Sequence, residues 1–125
     1  MNDLVNSLSE RIIGAAIEVH RELGPGLLES AYGSALADEL TLQGLQIEGE
    51  KEQPVRYKGL PIETGFRIDL LVEGQVVVEL KAVESILLIH EAQLITFLKQ
   101  SKCRVGLLIN FNVPLLKQGI KRFAL

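Results

Sequence analysis

Residues 66–84, FRIDLLVEGQVVVELKAVE, read as two apolar strands around a Glu-Gly turn, yet they carry Asp69, Glu79 and Lys81. A charge buried without a partner costs several kcal/mol, so each must meet an opposite charge, a cation or an exposed face. Side chains alternate across a strand, which puts Glu79 and Lys81 on one face and Val76, Val78 and Leu80 on the other. Whether Asp69 joins Glu79 depends on the turn. A two-residue loop, Glu73-Gly74, sends the acids to opposite faces. A three-residue loop, Val72-Glu73-Gly74, returns them to one face with Asp69 diagonal to Glu79, and Gly at the third position of such loops favours this register.

The rest of the chain supplies helices to cover that hairpin. Leu4, Leu8, Ile12, Ala15, Ala16, Val19 and Leu23 recur at helical spacing, and LGPGL ends the run because Gly24 and Pro25 do not continue a helix cheaply. A second helix is expected over 27–43 and a third over 87–101, with Gly44 stopping the former. IEGEKEQPVRYKGLPIETG reads as an edge strand and its turn, RVGLLINF as a buried strand, and NVPLLKQGIKRFAL as a turn and a last strand. The order ααβββαββ predicts an α/β fold with a mixed sheet flanked by helices, in one domain spanning 1–125. The longest uncharged run, 105–116, has 12 residues, short of the roughly 20 a membrane span needs. No membrane partner is expected, the N-terminus lacks the pattern of a secretion signal, and a cytoplasmic location follows. Lone Cys103 has no second thiol for a disulfide or a zinc site, and is read as an ordinary thiol.

A third carboxylate points toward the hairpin. At about 100° per residue, Glu29 falls within roughly 20° of Leu36 and Leu40 and near Tyr32, on the expected buried face of the second helix. Three acids aimed at one place repel unless a cation lies between them, and oxygen ligands suit Mg²⁺ or Mn²⁺ rather than zinc. The plain alternative is that Glu79 and Lys81 form an ordinary same-face surface pair. His20, His90 and Tyr32 are read as packing residues. Charge is segregated: residues 92–125 hold six of the 13 bases and none of the 16 acids, which marks a polyanion-facing surface or internal pairing of the two ends.

GLLESAY at 26–32 resembles the signature of the small GxxExxY proteins, and RIDLLV…VVELKAV resembles the PD-(D/E)xK nuclease core. The likeness extends through AAIEVHRELGPGLLESAY, YKG, HEAQLITFLK and GLLINF. It implies a restriction-endonuclease-like fold, with Asp69, Glu79, the peptide carbonyl of Leu80 and Glu29 around the metal and Lys81 as the catalytic lysine. Gln93 matches a glutamine of the exonuclease-type branches. Those branches favour a tyrosine where this chain has Phe97, and Ile68 replaces the proline of the family's name.

The resulting expectation is a Mg²⁺- or Mn²⁺-dependent nuclease acting on nucleic acid, DNA ahead of RNA, with catalytic residues Glu29, Asp69, Glu79, Lys81 and Gln93. A divalent ion on the acids suits phosphodiester hydrolysis, and a lysine beside it suits developing phosphoryl charge. The competing reading is a non-catalytic nucleic-acid- or protein-binding module on the same fold. A homodimer is left open.

Overall fold

A computed structural model describes residues 2–125, apart from the side chains at 2, 3, 63 and 64. Helices α1 (Asn2–Leu23) and α2 (Glu29–Leu42) precede strands β1 (Ile47–Tyr57), β2 (Leu60–Val72) and β3 (Val76–Lys81). Helix α3 (Leu88–Ser101), β4 (Val105–Asn110), a 3₁₀ turn (Leu116–Gly119) and β5 (Ile120–Ala124) follow. This is the expected ααβββαββ order. The strands lie side by side as β1-β2-β3-β4-β5. Only β3 and β4 run parallel, since α3 carries the chain back between them, as a parallel pair requires.

Two apolar layers sandwich the sheet. On one face Ile12, Ala16, Tyr32, Leu36 and Leu40 of α1 and α2 pack on Val76, Val78, Leu80, Leu107 and Ile109. On the other, Leu94 and Leu98 of α3 pack on Ile68, Leu71, Val77 and Leu108. Each fully buried aliphatic side chain contributes about 1.5–3 kcal/mol of transfer free energy. Strands β3 and β4 are apolar on both faces because both are covered. Gly106 lets α3 approach: a Cβ there would lie 3.0 Å from Leu94 Cδ1 and 3.1 Å from Leu98 Cδ2.

The linker between α1 and α2 is held by Tyr32. Its hydroxyl donates to the Gly24 carbonyl at 2.5 Å and accepts from the Leu27 amide at 3.1 Å, and its ring stacks on Phe111 with centroids 4.4 Å apart. Gly24 and Gly26, at φ 72° and 99°, supply the left-handed turns this bend needs. Tyr32 thereby fixes where α2 begins.

The β2–β3 hairpin moves the expected loop by one residue and the strand register by two. Val72 pairs with Val76, so the three-residue loop is Glu73-Gly74-Gln75 rather than Val72-Glu73-Gly74. Glu73 and Gly74 both take positive φ, 54° and 65°. Carrying the register of Leu70↔Val78 one step further sets Asp69 directly across from Glu79, not diagonal to it.

Candidate active site

Asp69 sits where β2 bends. Leu70 and Val72 face α1 and α2, whereas Ile68 and Leu71 both join the α3 side, so strict alternation fails across Asp69. Opposite it, Glu50 of β1 adopts φ 48°, and the β1–β2 register skips the Glu50–Asp69 step. Beyond the bend the β1–β2 hairpin leaves β3 and turns onto α3, where Phe66 stacks on Phe97 at 4.0 Å between centroids. Phe97, expected at a position where a hydroxyl is usual, serves packing here.

The two strands part at Asp69 and Glu79, and the acids fill the gap. The Asp69 amide donates to Glu79 Oε2 at 2.9 Å, and the Leu80 amide donates to Asp69 Oδ2 at 2.8 Å. Side-chain oxygens have replaced the carbonyl acceptors of the ladder. Glu79 is 7% exposed and Asp69 half-buried. Burial, then the charge of Asp69, pushes the Glu79 carboxyl up to about 8. The Asp69 carboxyl is also raised, by burial and by the charge of Glu29, against the Leu80 hydrogen bond and Lys81, which lower it. The pair therefore retains protons that isolated carboxylates release, or it takes a cation.

Lys81 follows on β3, half-buried, where β3 still pairs with β4 through Lys81↔Asn110. Its charge acts on both acids. The ion pairs found among the described residues, such as Arg67–Glu52 and Lys121–Glu91, do not include it. The ordinary surface pair of Glu79 with Lys81 is thus not formed. The chain after Lys81 is clipped by Asn110, 2% exposed, whose side chain accepts from the Val83 amide at 3.0 Å and donates to the Val83 carbonyl at 2.9 Å.

Glu29 departs from expectation. It shares a helical stripe with the fully buried Tyr32, Leu36 and Leu40, but it is the first residue of α2 and is exposed. The angular argument located its direction correctly and its depth wrongly, because the helix start overhangs the core. Glu29 lines one side of a groove of about 390 Å³ between α2 and the bent strands, with Asp69, Leu80 and Glu50 also in its walls. Among the described residues no three of His, Cys, Asp and Glu come close enough to share one metal ion. The expected three-acid cluster is therefore a pair, Asp69 and Glu79, with Glu29 apart from it. Gln93 is exposed on α3, and no hydrogen bond joins it to the acids. Two contributors escaped the sequence reading. Glu50, whose charge also raises the Asp69 carboxyl, lies in an ordinary polar alternation, and Asn110 reads there as the end of a strand.

The donor set fits a divalent cation: two oxygen-only acids meet at the fork, the charge of one raising the carboxyl of the other, and the Leu80 peptide joins Glu79 to Lys81. A five-stranded mixed sheet covered by helices, with paired acids at a strand fork and a lysine two residues beyond the second, defines a restriction-endonuclease-like protein. A family model of the PD-(D/E)XK nuclease superfamily matches residues 6–123, and the chain belongs to that superfamily. Its members generally hydrolyse phosphodiester bonds, typically with divalent metals, so the implied substrate is nucleic acid. Comparison with curated proteins and with solved structures returned no significant match. No helix among the described residues is long and apolar enough to cross a membrane.

Proposed function

We propose that this protein is a Mg²⁺- or Mn²⁺-dependent nuclease of the GxxExxY branch, acting in the cytoplasm as a single-domain enzyme on nucleic acid, with DNA ahead of RNA. The observation that carries the reading is the reciprocal pairing of Asp69 and Glu79 at the strand fork, with both carboxyls raised. A buried acid held beside a half-buried one weakens the fold unless a cation or a proton joins them.

Asp69, Glu79 and the Leu80 carbonyl would hold the ion. When bound, a divalent cation supplies positive charge to phosphate oxygens and acidifies a water molecule. The chain's own residues do the rest. Lys81, in no ion pair among the described residues, presents a compact positive charge to the phosphoryl oxygens as negative charge builds on them. Glu29, at the exposed edge of the groove, orders water at the approach to the pair. Gln93 offers an amide to the phosphate or a base.

The alternative, a binding module without turnover, would need a basic face for nucleic acid, and two of the bases that could form one are engaged within the chain. Of the six bases in residues 92–125, Lys121 pairs with Glu91 at 2.6 Å and Arg122 is bonded to Asn6 and Ser9. They reach the α3 and α1 sides of β5 respectively, so no single basic face surrounds the acids. The test is cation binding by the protein itself. Millimolar Mn²⁺ should raise the melting temperature of the wild type, and Asp69→Asn should abolish the increase. An equal increase in both proteins would remove Asp69 from the site.

A further inference from the structure

The β1–β2 hairpin tip is unexplained by the chemistry at the acids. Residues 53–62, QPVRYKGLPI, contain Arg56 and Lys58 and no acid, in a chain of net charge -3. Tyr57 is 61% exposed and Leu60 68%, and no other aromatic ring among the described residues is exposed. Exposed leucines recur over the surface, as at Leu28, Leu42 and Leu88, and what sets the tip apart is an exposed aromatic ring between two cations.

The tip is also rigidly presented. Lys58 and Gly59 make the reversal at φ 50° and 81°, and Arg56 Nη1 braces it by donating to the Gly59 carbonyl at 3.2 Å. Behind it, Gln100 of α3 anchors the hairpin: its carbonyl accepts from Gln53 Nε2 at 3.1 Å and its side-chain oxygen from the Arg56 amide at 3.2 Å. Lys58 Nζ lies over the Tyr57 ring, 5.3 Å from its centroid, so the ammonium takes one face of the ring and the other is left for a base. Bases stack on exposed aromatic rings while neighbouring cations contact the phosphates, an arrangement suited to strands with unpaired bases.

We propose that this tip is a second contact for nucleic acid, in which an unpaired base stacks on Tyr57 and Arg56 and Lys58 face the flanking phosphates. The inference rests on the nuclease reading for its substrate class, but not on turnover. Leu60 and Asp69 are nine positions apart, at most about 30 Å at roughly 3.3 Å per residue. A stacked strand advances about 3.4 Å per nucleotide, so one strand spans both places within roughly nine nucleotides.

The test is equilibrium binding of fluorescent 20-nucleotide and 4-nucleotide single strands, as DNA and as RNA, in EDTA so that none is cut. Tyr57→Ala should weaken binding of the 20-mer by about 5- to 100-fold, the loss of one stacked base, whereas Tyr57→Phe should stay within about twofold. The 4-mer, which reaches only one of the two places, should bind more weakly than the 20-mer and lose affinity in Tyr57→Ala as well, and melting temperatures should hold because the ring is exposed. Lys58→Ala should reduce the slope of log K against log salt by about 0.7. Wild type that binds the 20-mer while Tyr57→Ala binds it equally well overturns the tip and leaves the nuclease reading standing. So does a Tyr57→Ala variant that changes only the self-association state, which would assign the tip to a contact between copies. Wild type that binds neither DNA nor RNA in EDTA, yet cleaves with Mn²⁺, also overturns the tip, and wild type that neither binds nor cleaves overturns both readings.

Discussion

Glu79 shows how much a single buried acid controls. Its carboxyl ordinarily titrates near 4.5 and is pushed up to about 8 in the fold by burial and by Asp69. An acid whose folded-state pKa is raised binds more protons folded than unfolded. Stability from this group is therefore full below about 4.5 and is lost as pH rises toward 8. In EDTA, denaturant midpoints should fall between pH 5 and pH 8, and Glu79→Gln should flatten the profile. A wild-type midpoint that rises over this window would contradict the raised carboxyl. A divalent cation competes with those protons, so its stabilising effect should be greater at pH 8 than at pH 6.

At the scale of elements, Tyr32 and the strand fork place that acid. Tyr32→Phe keeps the ring on Phe111 but leaves the Gly24 carbonyl and the Leu27 amide without their partner. These bonds are part-buried, so water replaces them in part and their loss costs about 0.5–1.5 kcal/mol, and urea unfolding should read a decrease of that order. An unchanged midpoint would mean that α2 is positioned by packing alone. The helices were legible because apolar residues at helical spacing leave a signature in the sequence, and LGPGL punctuates it. The strands were legible too, by polar–apolar alternation in IEGEKEQPVRY and by the continuously apolar run RVGLLINF. The hairpin register was not, because Val72 and Gln75 can each close a three-residue loop, and what decides between them is the backbone at Glu73 and Gly74. The bend at Asp69 was hidden too, since it requires Glu50, a non-glycine residue, at positive φ. Glu29 was placed correctly around its helix but not along it, since periodicity says nothing about where a helix outruns the sheet beneath it.

Across the whole molecule, the basic C-terminal third proves to be dispersed. Lys99, Lys102 and Arg104 lie around the end of α3 and the start of β4, at the sheet end where Val76 meets Val105. The acids lie toward the other end, near Lys81↔Asn110. Lys117 stands at the acids' end, in the 3₁₀ turn between β4 and β5, whereas Lys121, level with Glu79 through Leu108, is taken up by Glu91. Lys117→Ala should therefore weaken nucleic-acid binding and flatten its salt dependence. Lys121→Ala and Arg122→Ala should instead change stability by about 0–1 kcal/mol, as exposed pairs do. Equal losses of affinity at all three would restore a continuous basic face. Charge segregation in a sequence located neither the face nor the end, because strand alternation and helix length decide where each base emerges.

The most direct measurement is cleavage of single- and double-stranded DNA and RNA by wild type and Lys81→Ala, with Mg²⁺ or Mn²⁺ and with EDTA. Lys81 is half-buried beside the paired acids and has no salt-bridge partner among the described residues, so its removal should leave the fold and the Mn²⁺-dependent rise in melting temperature intact. The account predicts metal-dependent cleavage of at least one substrate by wild type, reduced by about 100-fold or more in Lys81→Ala, as loss of a positioned charge on the transition state entails. Wild type that takes up the cation but cleaves none of the four, or Lys81→Ala that cleaves as fast as wild type, would contradict it.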